Sequence, residues 1–182
     1  MFSRKKEVKQ ELIEEPKKLE ITHPKLKDCY PPFAEKAQLF YNAMKKWAKE
    51  KEFDADIHMA LRTWKTQADL YAIGRTKELN RKPVTKAKPG LSFHNYGLAI
   101  DIVFDGDLSK QGIQWSWDDK YPWTELGDLG KKFGLEWAGD WKTFPEMPHF
   151  QMSFGQPIRQ LLEWHTQGGL EKVWSELDKI AA

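Results

Sequence analysis

The chain has 182 residues, with 29 Lys or Arg against 27 Asp or Glu, so its formal net charge is only +2. This length suits one domain, and nine tryptophans and ten phenylalanines provide large apolar side chains for its core. The absence of a basic stripe or nucleic-acid motif argues against nucleic-acid binding. A single cysteine, Cys29, excludes an intrachain disulfide and a cysteine-rich metal site, and no apolar run approaches the length of a membrane span.

The first elements along the chain are a charged segment and an amphipathic helix. Residues 1–20 mix acids with lysines and lack the apolar centre of a signal peptide. We therefore expect a charged N-terminal arm over residues 1–22 and a single folded domain over residues 23–182. Apolar residues at helical spacing from Phe33 to Ala48 predict the first helix. The predicted helices span about residues 32–51, 64–73, 124–133, 157–165 and 170–180.

Two segments with alternating apolar residues are predicted to be strands. Over residues 98–104 the apolar side chains alternate, so Asp101 lies on the face opposite the core. The segment after Pro148 alternates in the same way, so His149 also points away from the core. Gly97 permits a turn after His94, from which this imidazole can reach the polar face of the first strand. The two strands are thus expected to form one wall of a cleft.

These segments supply the groups of a hydrolytic metal site. His94 and His149 provide imidazoles, Asp101 a ligating carboxylate, and Glu146 a second carboxylate that can act as a base. A hydrolytic zinc site needs three protein ligands, an open position and a group that takes a proton from water. An Asp within an apolar strand also needs a charge partner to offset its desolvation, and a metal supplies one. Taken singly, each fragment occurs often by chance, and His94 alone also fits a hydrogen-bonded loop histidine.

Several other residues have competing interpretations. Asp140 could serve as the base instead, although its Ala-Gly-Asp-Trp context is more typical of a turn. His58 lies in an apolar segment and is interpreted as a hydrogen-bonded, partly buried histidine rather than a fourth ligand. Trp141 either lines a substrate groove or covers the core. His23 and His165 lack ligand spacing and are interpreted as structural or solvated.

The motifs around the histidines resemble those of a known family. They are similar to the zinc peptidases of the D-alanyl-D-alanine carboxypeptidase and L-alanyl-D-glutamate endopeptidase group, which cut the peptide stems of bacterial cell walls. The two motifs that carry this resemblance are Ser92-x-His94-x-x-Gly97-x-Ala99-x-Asp101 and Glu146-x-x-His149. Further matching runs lie at residues 62–76, 84–90 and 138–142. Together these runs favour the L-alanyl-D-glutamate endopeptidase branch, typical of phage endolysins, and the resemblance covers roughly residues 30–155.

The resemblance implies a role for each motif residue. His94, Asp101 and His149 are implied to bind Zn²⁺, with Glu146 as the general base. Arg62 is implied to stabilise the developing oxyanion, and its place at the end of an apolar segment suits a cleft better than an ordinary surface position. The positions implied to line the substrate cleft are Gln67 and Ser92.

The resemblance also implies a fold, a substrate and a cellular route. The expected fold is α+β, a small and mostly antiparallel sheet that carries the zinc site and is surrounded by helices, of the D-Ala-D-Ala carboxypeptidase/Hedgehog-like kind. The domain over residues 23–182 would be the zinc peptidase catalytic domain. We expect a monomeric endolysin that cleaves the L-Ala–D-Glu bond of peptidoglycan stem peptides, with no stable membrane association. Made in the host cytoplasm without a signal peptide, it would reach the wall through a holin.

Two alternatives remain at this point. A D,D-carboxypeptidase or D,D-dipeptidase would use the same site on the far end of the stem, although the surroundings of Arg75 and Val84 favour the endopeptidase. A non-catalytic wall-binding or structural zinc module is the other alternative. A closed structural zinc site normally carries a fourth protein ligand, usually with cysteines, which this pattern lacks.

Overall fold

An antiparallel sheet of five short strands lies at the centre of the protein. In the computed structural model, which describes residues 19–181, the strand order is β1-β2-β5-β4, and β3 pairs with the far end of β2. All pairings are antiparallel. The strands are β1 (Ala55–Met59), β2 (Ala99–Asp105), β3 (Trp115–Ser116), β4 (Glu136–Trp137) and β5 (His149–Gln151). The two strands predicted to carry the site, β2 and β5, are adjacent.

Four helices surround this sheet, which confirms the predicted α+β class. They are α1 (Pro31–Glu50), α2 (Trp64–Ala72), α3 (Trp123–Lys131) and α4 (Ile158–Ala181). The chain of α4 leaves helical geometry at Gly168 and Gly169, where Gly169 has φ +68°, so α4 consists of the two helical segments predicted on either side of this glycine pair. No helix within residues 19–181 is long and apolar enough to span a membrane.

The core is built on β2. Its side chains Ile100, Ile102 and Phe104 are fully buried, and the aromatic residues of α1 join the same core cluster. On the opposite face, Ala99 and Val103 are buried as well. Both faces of β2 are therefore enclosed, whereas the sequence predicted a strand with only one buried face. Asp101 is the polar exception on the second face.

The N-terminal arm falls mostly on residues 1–18, which lie outside the described residues. Its last residues are attached to the domain, since Ile21 packs against the core and the backbone N–H of Thr22 donates to Gln38 Oε1 at 3.0 Å. The division of the chain at residues 22 and 23 stays a prediction.

Candidate metal centre

Strand register brings the predicted ligands together. Asp101 of β2 lies directly opposite His149 of β5, and such cross-strand partners project from the same face of a sheet. His94 comes from a 3-10 turn (Phe93–Tyr96) just before β2. Gly97 ends this turn with φ +67°, a left-handed conformation that lets the chain reverse into the strand. One donor atom from each of the three side chains falls within 4.8 Å of the other two.

The three donor atoms form a nearly equilateral triangle. His94 Nε2 is 3.2 Å from His149 Nδ1, and each of these nitrogens is 3.1 Å from Asp101 Oδ1. The two imidazoles are buried, whereas Asp101 keeps 21% of its side-chain surface exposed. The triangle therefore has one side open to solvent and to a substrate.

Hydrogen bonds on the far side of each imidazole set its tautomer. His94 Nδ1 lies 2.7 Å from the carbonyl oxygen of Ala60, which can only accept, so this nitrogen carries the proton. His149 Nε2 lies 2.9 Å from Gln151 Oε1 and donates to it, because the amide nitrogen of Gln151 is used as a donor to Glu136. In the neutral rings, His94 Nε2 and His149 Nδ1 therefore present lone pairs to the centre of the triangle.

This donor set fits a zinc ion. Three acceptor atoms face one another, an unfavourable arrangement that a cation relieves. Ligands about 2.0–2.1 Å from a tetrahedral zinc ion lie roughly 3.3 Å from one another, close to the spacing seen here. Two imidazole nitrogens and a carboxylate oxygen match catalytic rather than structural zinc sites, and the outer hydrogen bonds are those that orient metal-binding histidines.

The electrostatics of the triangle keep Asp101 charged. Burial alone would raise the pKa of Asp101, but the neighbouring His94 and His149 hold this pKa well below its usual range. Burial lowers the pKa of His94, which favours the neutral ring that a metal requires. Burial also acts to lower the pKa of His149, yet the bond to Asp101 outweighs it and raises this pKa overall.

Arg62 binds the outer oxygen of the same carboxylate. Its Nη2 donates to Asp101 Oδ2 at 3.0 Å, while Nη1 donates to Gln67 Oε1 at 2.9 Å. The backbone N–H of Arg62 also donates to the carbonyl of His94 at 2.9 Å. The guanidinium group is thus held beside the triangle by two acceptors, at the end of the segment that follows β1.

Glu146 lies beside the triangle without belonging to it. Its backbone accepts a hydrogen bond from the N–H of His149 at 3.1 Å, which closes a short turn before β5. Burial raises the pKa of Glu146, while the charge of His149 acts in the opposite direction without cancelling the effect. A carboxyl group with a raised pKa next to a metal site suits proton transfer. Asp140, the competing base, is more than half exposed and pairs with Lys131 at 3.0 Å.

Comparison with known proteins agrees with this geometry. A family model described as D-alanyl-D-alanine carboxypeptidase matches residues 85–152. The chain is 40% identical over 119 residues to the peptidoglycan L-alanyl-D-glutamate endopeptidase CwlK of Bacillus subtilis (strain 168), a match that covers 61% of this chain and 68% of that protein. The chain belongs to the peptidase family that this model describes and that includes this endopeptidase.

Two further similarities, one in sequence and one in structure, are weaker. This chain is 25% identical over 115 residues to the L-alanyl-D-glutamate peptidase of Listeria phage A118. The match covers 59% of this chain but only about a third (34%) of that protein. Among solved structures, the Serratia marcescens L-Ala D-Glu endopeptidase ChiX is 22% identical with a TM-score of 0.48, covering 71% of this chain and 84% of that chain.

The peptidase has a cleft of about 830 Å³ that opens over the triangle. Ser92, Arg62 and Glu146 line it together with the three triangle residues. Trp141 also lines the cleft, with its ring centroid 5.6 Å from that of His149, so of its two interpretations the structure places it in the groove. Gln67 is fully buried behind Arg62 and is not among the lining residues, so its amide faces the protein rather than the cleft.

The remaining histidines are not part of the triangle, although one of them lines the cleft. His58 lines the cleft between Trp115 and Trp117, with ring centroids at 4.5 and 5.1 Å. The expected hydrogen bond is not found at Nδ1 of His58, since this buried nitrogen has no partner within residues 19–181. His23 is buried and contacts Asp56 at 3.0 Å, and His165 stacks on Trp64.

The residues that support His149 were not predicted from the sequence. Gln151 binds its ring, and Glu136 of β4 accepts from the Gln151 amide at 3.0 Å. The position of Gln151, two residues after His149 on the same strand face, is a signal that could have revealed it. Glu136 offered no such signal, because only the pairing of β4 with β5 brings it to the site.

Proposed function

We propose that the protein is a zinc-dependent peptidoglycan hydrolase that cleaves the L-alanyl-D-glutamate bond of stem peptides. The observation that carries this proposal is the triangle of acceptor atoms from His94, Asp101 and His149, open to a cleft that Glu146 also lines. The choice of bond is supported by the names of the relatives in Bacillus subtilis and Listeria phage A118.

The proposed mechanism divides the work between the metal and the protein. Held by the three ligands, zinc would supply a Lewis acid that makes water easier to deprotonate. Glu146 takes the proton from the attacking water and returns it to the nitrogen of the leaving D-glutamate. Its partly buried position keeps its pKa raised, which brings its affinity for a proton closer to that needed for both transfers.

Arg62 is proposed to stabilise the negative charge that develops on the carbonyl oxygen. Its guanidinium group lines the cleft, and its two hydrogen bonds to Asp101 and Gln67 fix its orientation before substrate arrives. Gln67 therefore contributes by positioning Arg62, while its amide nitrogen donates to the carbonyl of Ala87 at 2.8 Å. Ser92, which lines the cleft, is proposed to contact the substrate directly.

Mass spectrometry of the fragments released from purified peptidoglycan by the zinc-loaded protein tests the proposed bond. We expect stem peptides that begin at D-Glu, with L-Ala left on the sugar. The Glu146→Gln variant is the matched control, because it keeps the fold and the ligand triangle but lacks the base. Absence of any released peptide from walls of several compositions would contradict the proposal.

A second candidate is a D,D-carboxypeptidase that trims the far end of the stem. The description of the matching family model favours it, since that model is named for D-alanyl-D-alanine carboxypeptidase. The same digest separates the two candidates, because the carboxypeptidase would release only terminal D-Ala and leave the L-Ala–D-Glu bond intact.

We also propose a lytic role in a phage, with release to the wall through a holin. The relative from Listeria phage A118 supports this setting, whereas the Bacillus subtilis relative is a bacterial protein. Production of the protein in bacterial cells with and without a co-expressed holin tests the route. We expect the culture to clear only with the holin, and clearing without it would contradict the proposed route.

A further inference from the structure

Two basic side chains line the cleft, Arg62 and Lys86, and they differ in their partners. Arg62 is 9% exposed and forms an ion pair with Asp101. Lys86 is exposed at the rim, and within residues 19–181 no carboxylate lies within 4.0 Å of its ammonium group. The charge of Arg62 is therefore compensated inside the protein, whereas the charge of Lys86 is available to a ligand.

The backbone on both sides of Lys86 is anchored. The carbonyl of Thr85 accepts a hydrogen bond from Arg75 Nη2 at 3.0 Å, and the carbonyl of Ala87 accepts one from Gln67 Nε2 at 2.8 Å. Gln67 is the same side chain that holds Arg62. The position of Lys86 is consequently tied to the arrangement of the catalytic groups, although its own side chain is exposed.

Phe144 holds the ammonium group from the opposite loop. The Nζ atom of Lys86 lies 4.0 Å from the centroid of this ring, a distance typical of a cation–π contact. Phe144 has φ +111°, a strained conformation for a residue with a side chain, in the segment that leads to Glu146. The strained backbone thus presents an aromatic face to Lys86 across the cleft.

The location of this pair relative to Glu146 indicates which part of a substrate it would meet. Lys86 and Glu146 line the same cleft, and Phe144, which contacts Lys86, precedes Glu146 by only two residues. Glu146 is proposed to return a proton to the leaving nitrogen, and this nitrogen belongs to D-glutamate. A D-glutamate residue has two carboxyl groups, of which the stem continues through one, so the other is free to carry a negative charge.

We propose that Lys86 and Phe144 form a subsite for the free carboxylate of this D-glutamate, and that the subsite makes the enzyme prefer the acid over its amide. The inference rests on the proposed cleavage of the L-alanyl-D-glutamate bond. Glu146 and Asp119 also line the cleft and would repel an anionic substrate. A cation at the rim offsets this repulsion at the one position where the substrate itself is charged.

Two soluble peptides test the subsite, L-Ala–D-γ-Glu–L-Lys–D-Ala and the same peptide with D-isoglutamine in place of D-glutamate. We expect the wild-type enzyme to show a kcat/KM ratio of acid to amide of roughly ten, mostly through KM, as expected for one charge-assisted hydrogen bond. In Lys86→Met this ratio should fall to about one, and Lys86→Arg should retain most of it. A third peptide with meso-diaminopimelate after D-glutamate separates this carboxylate from the one on the following residue.

Lys88→Met is the matched control, because Lys88 is exposed on the same loop but does not line the cleft. It should keep the wild-type ratio. An equal loss in both variants would show a general effect of charge and overturn the subsite, as would a Lys86→Met ratio unchanged from wild type. A Lys86 effect seen only with meso-diaminopimelate would assign the lysine to the next residue of the stem and overturn it too. Cleavage of both peptides at equal rates by the wild type removes this inference alone, whereas cleavage of neither removes the proposed bond specificity with it.

Discussion

Gln151 accepts a hydrogen bond from Nε2 of His149 at 2.9 Å and so directs the Nδ1 lone pair of that ring toward Asp101. Its own amide nitrogen donates to Glu136 at 3.0 Å, which fixes the orientation of the Gln151 side chain. The sheet therefore selects the tautomer of this proposed metal ligand through a chain of two hydrogen bonds from β5 to β4.

Replacement of Gln151 by leucine should weaken zinc binding while the fold is retained. The bond from His149 Nε2 would be lost, so the ring could rotate or change tautomer, and we expect zinc affinity to fall by roughly ten- to a hundredfold. Competition with a chromogenic chelator measures this change. Gln167→Leu, at an exposed position of α4, is the control and should bind zinc as the wild type does. Unchanged affinity in Gln151→Leu would mean that the bond to Gln151 does not orient the ligand.

Glu146→Gln should separate metal binding from catalysis. Glu146 is not one of the three clustered donors, so we expect normal zinc content. Because the amide cannot take a proton from water, kcat should fall by roughly a hundred- to ten-thousandfold. Metal analysis and peptide hydrolysis, performed on the same preparation, measure the two effects.

Asp140→Asn is the matched control for this experiment. Asp140 binds Lys131 and does not line the cleft, so its loss should leave hydrolysis near the wild-type rate. The reverse result, with Asp140→Asn inactive and Glu146→Gln active, would transfer the role of base to Asp140.

Removal of metal should lower the thermal stability of the protein. The three acceptor atoms approach within 3.1–3.2 Å of one another, and a cation that binds only the folded state stabilises it. At a thousandfold excess of zinc over its dissociation constant the gain would be about 4 kcal/mol, seen as a higher melting temperature. His149→Ala should abolish this zinc-dependent gain, while His165→Gln, whose ring contacts Trp64 and Tyr96 but no residue of the triangle, should retain it. A gain of equal size in His149→Ala would exclude His149 from the ligand set.

The residues of the triangle could be predicted from the sequence because their positions depend on local patterns. His94 and Asp101 belong to one ten-residue segment, and the alternation around Asp101 and His149 placed both on the polar face of a strand. Because β2 pairs with β5 in this register, Asp101 and His149 lie directly opposite each other. A short motif can specify a site when each of its residues is positioned by the strand or turn in which it lies.

Residues whose positions depend on contacts between distant segments could not be predicted in this way. Gln67 matched the family motif, but its full burial follows from bonds to Arg62 on one side and Ala87 on the other. The contact between Lys86 and Phe144 joins two loops more than fifty residues apart, and neither loop has a periodic pattern. The sequence therefore predicts the three residues of the triangle better than the walls of the cleft.

Cys29 should be nearly unreactive in the folded protein. Burial raises the pKa of its thiol to about 12, so roughly one molecule in ten thousand would be ionised at about pH 8. Alkylation by iodoacetamide, with and without guanidinium, tests this expectation, since unfolding restores an ordinary thiol. Fast labelling under native conditions would show that the segment around Cys29 opens readily.

Gly97→Ala should destabilise the protein and displace His94. Gly97 has φ +67°, and a Cβ atom there would lie 3.0 Å from the Cα atom of Cys29 and 3.1 Å from the backbone nitrogen of Tyr30. Left-handed backbone strain and a clash with rigid main chain together should lower the free energy of unfolding by about 2–4 kcal/mol, measured by urea denaturation.

Gly155→Ala separates the two causes. Gly155 has a similar φ of +71°, but no atom of residues 19–181 lies within 4 Å of the point that a Cβ atom would occupy, so the variant carries the strain without the clash. We expect it to lose only about 1–2 kcal/mol and to bind zinc normally. Gly97→Ala should also bind zinc more weakly, because the turn that carries His94 ends at this residue. Equal losses of stability in the two variants, with equal zinc affinity, would mean that the contact between Gly97 and Cys29 does not hold the ligand turn in place.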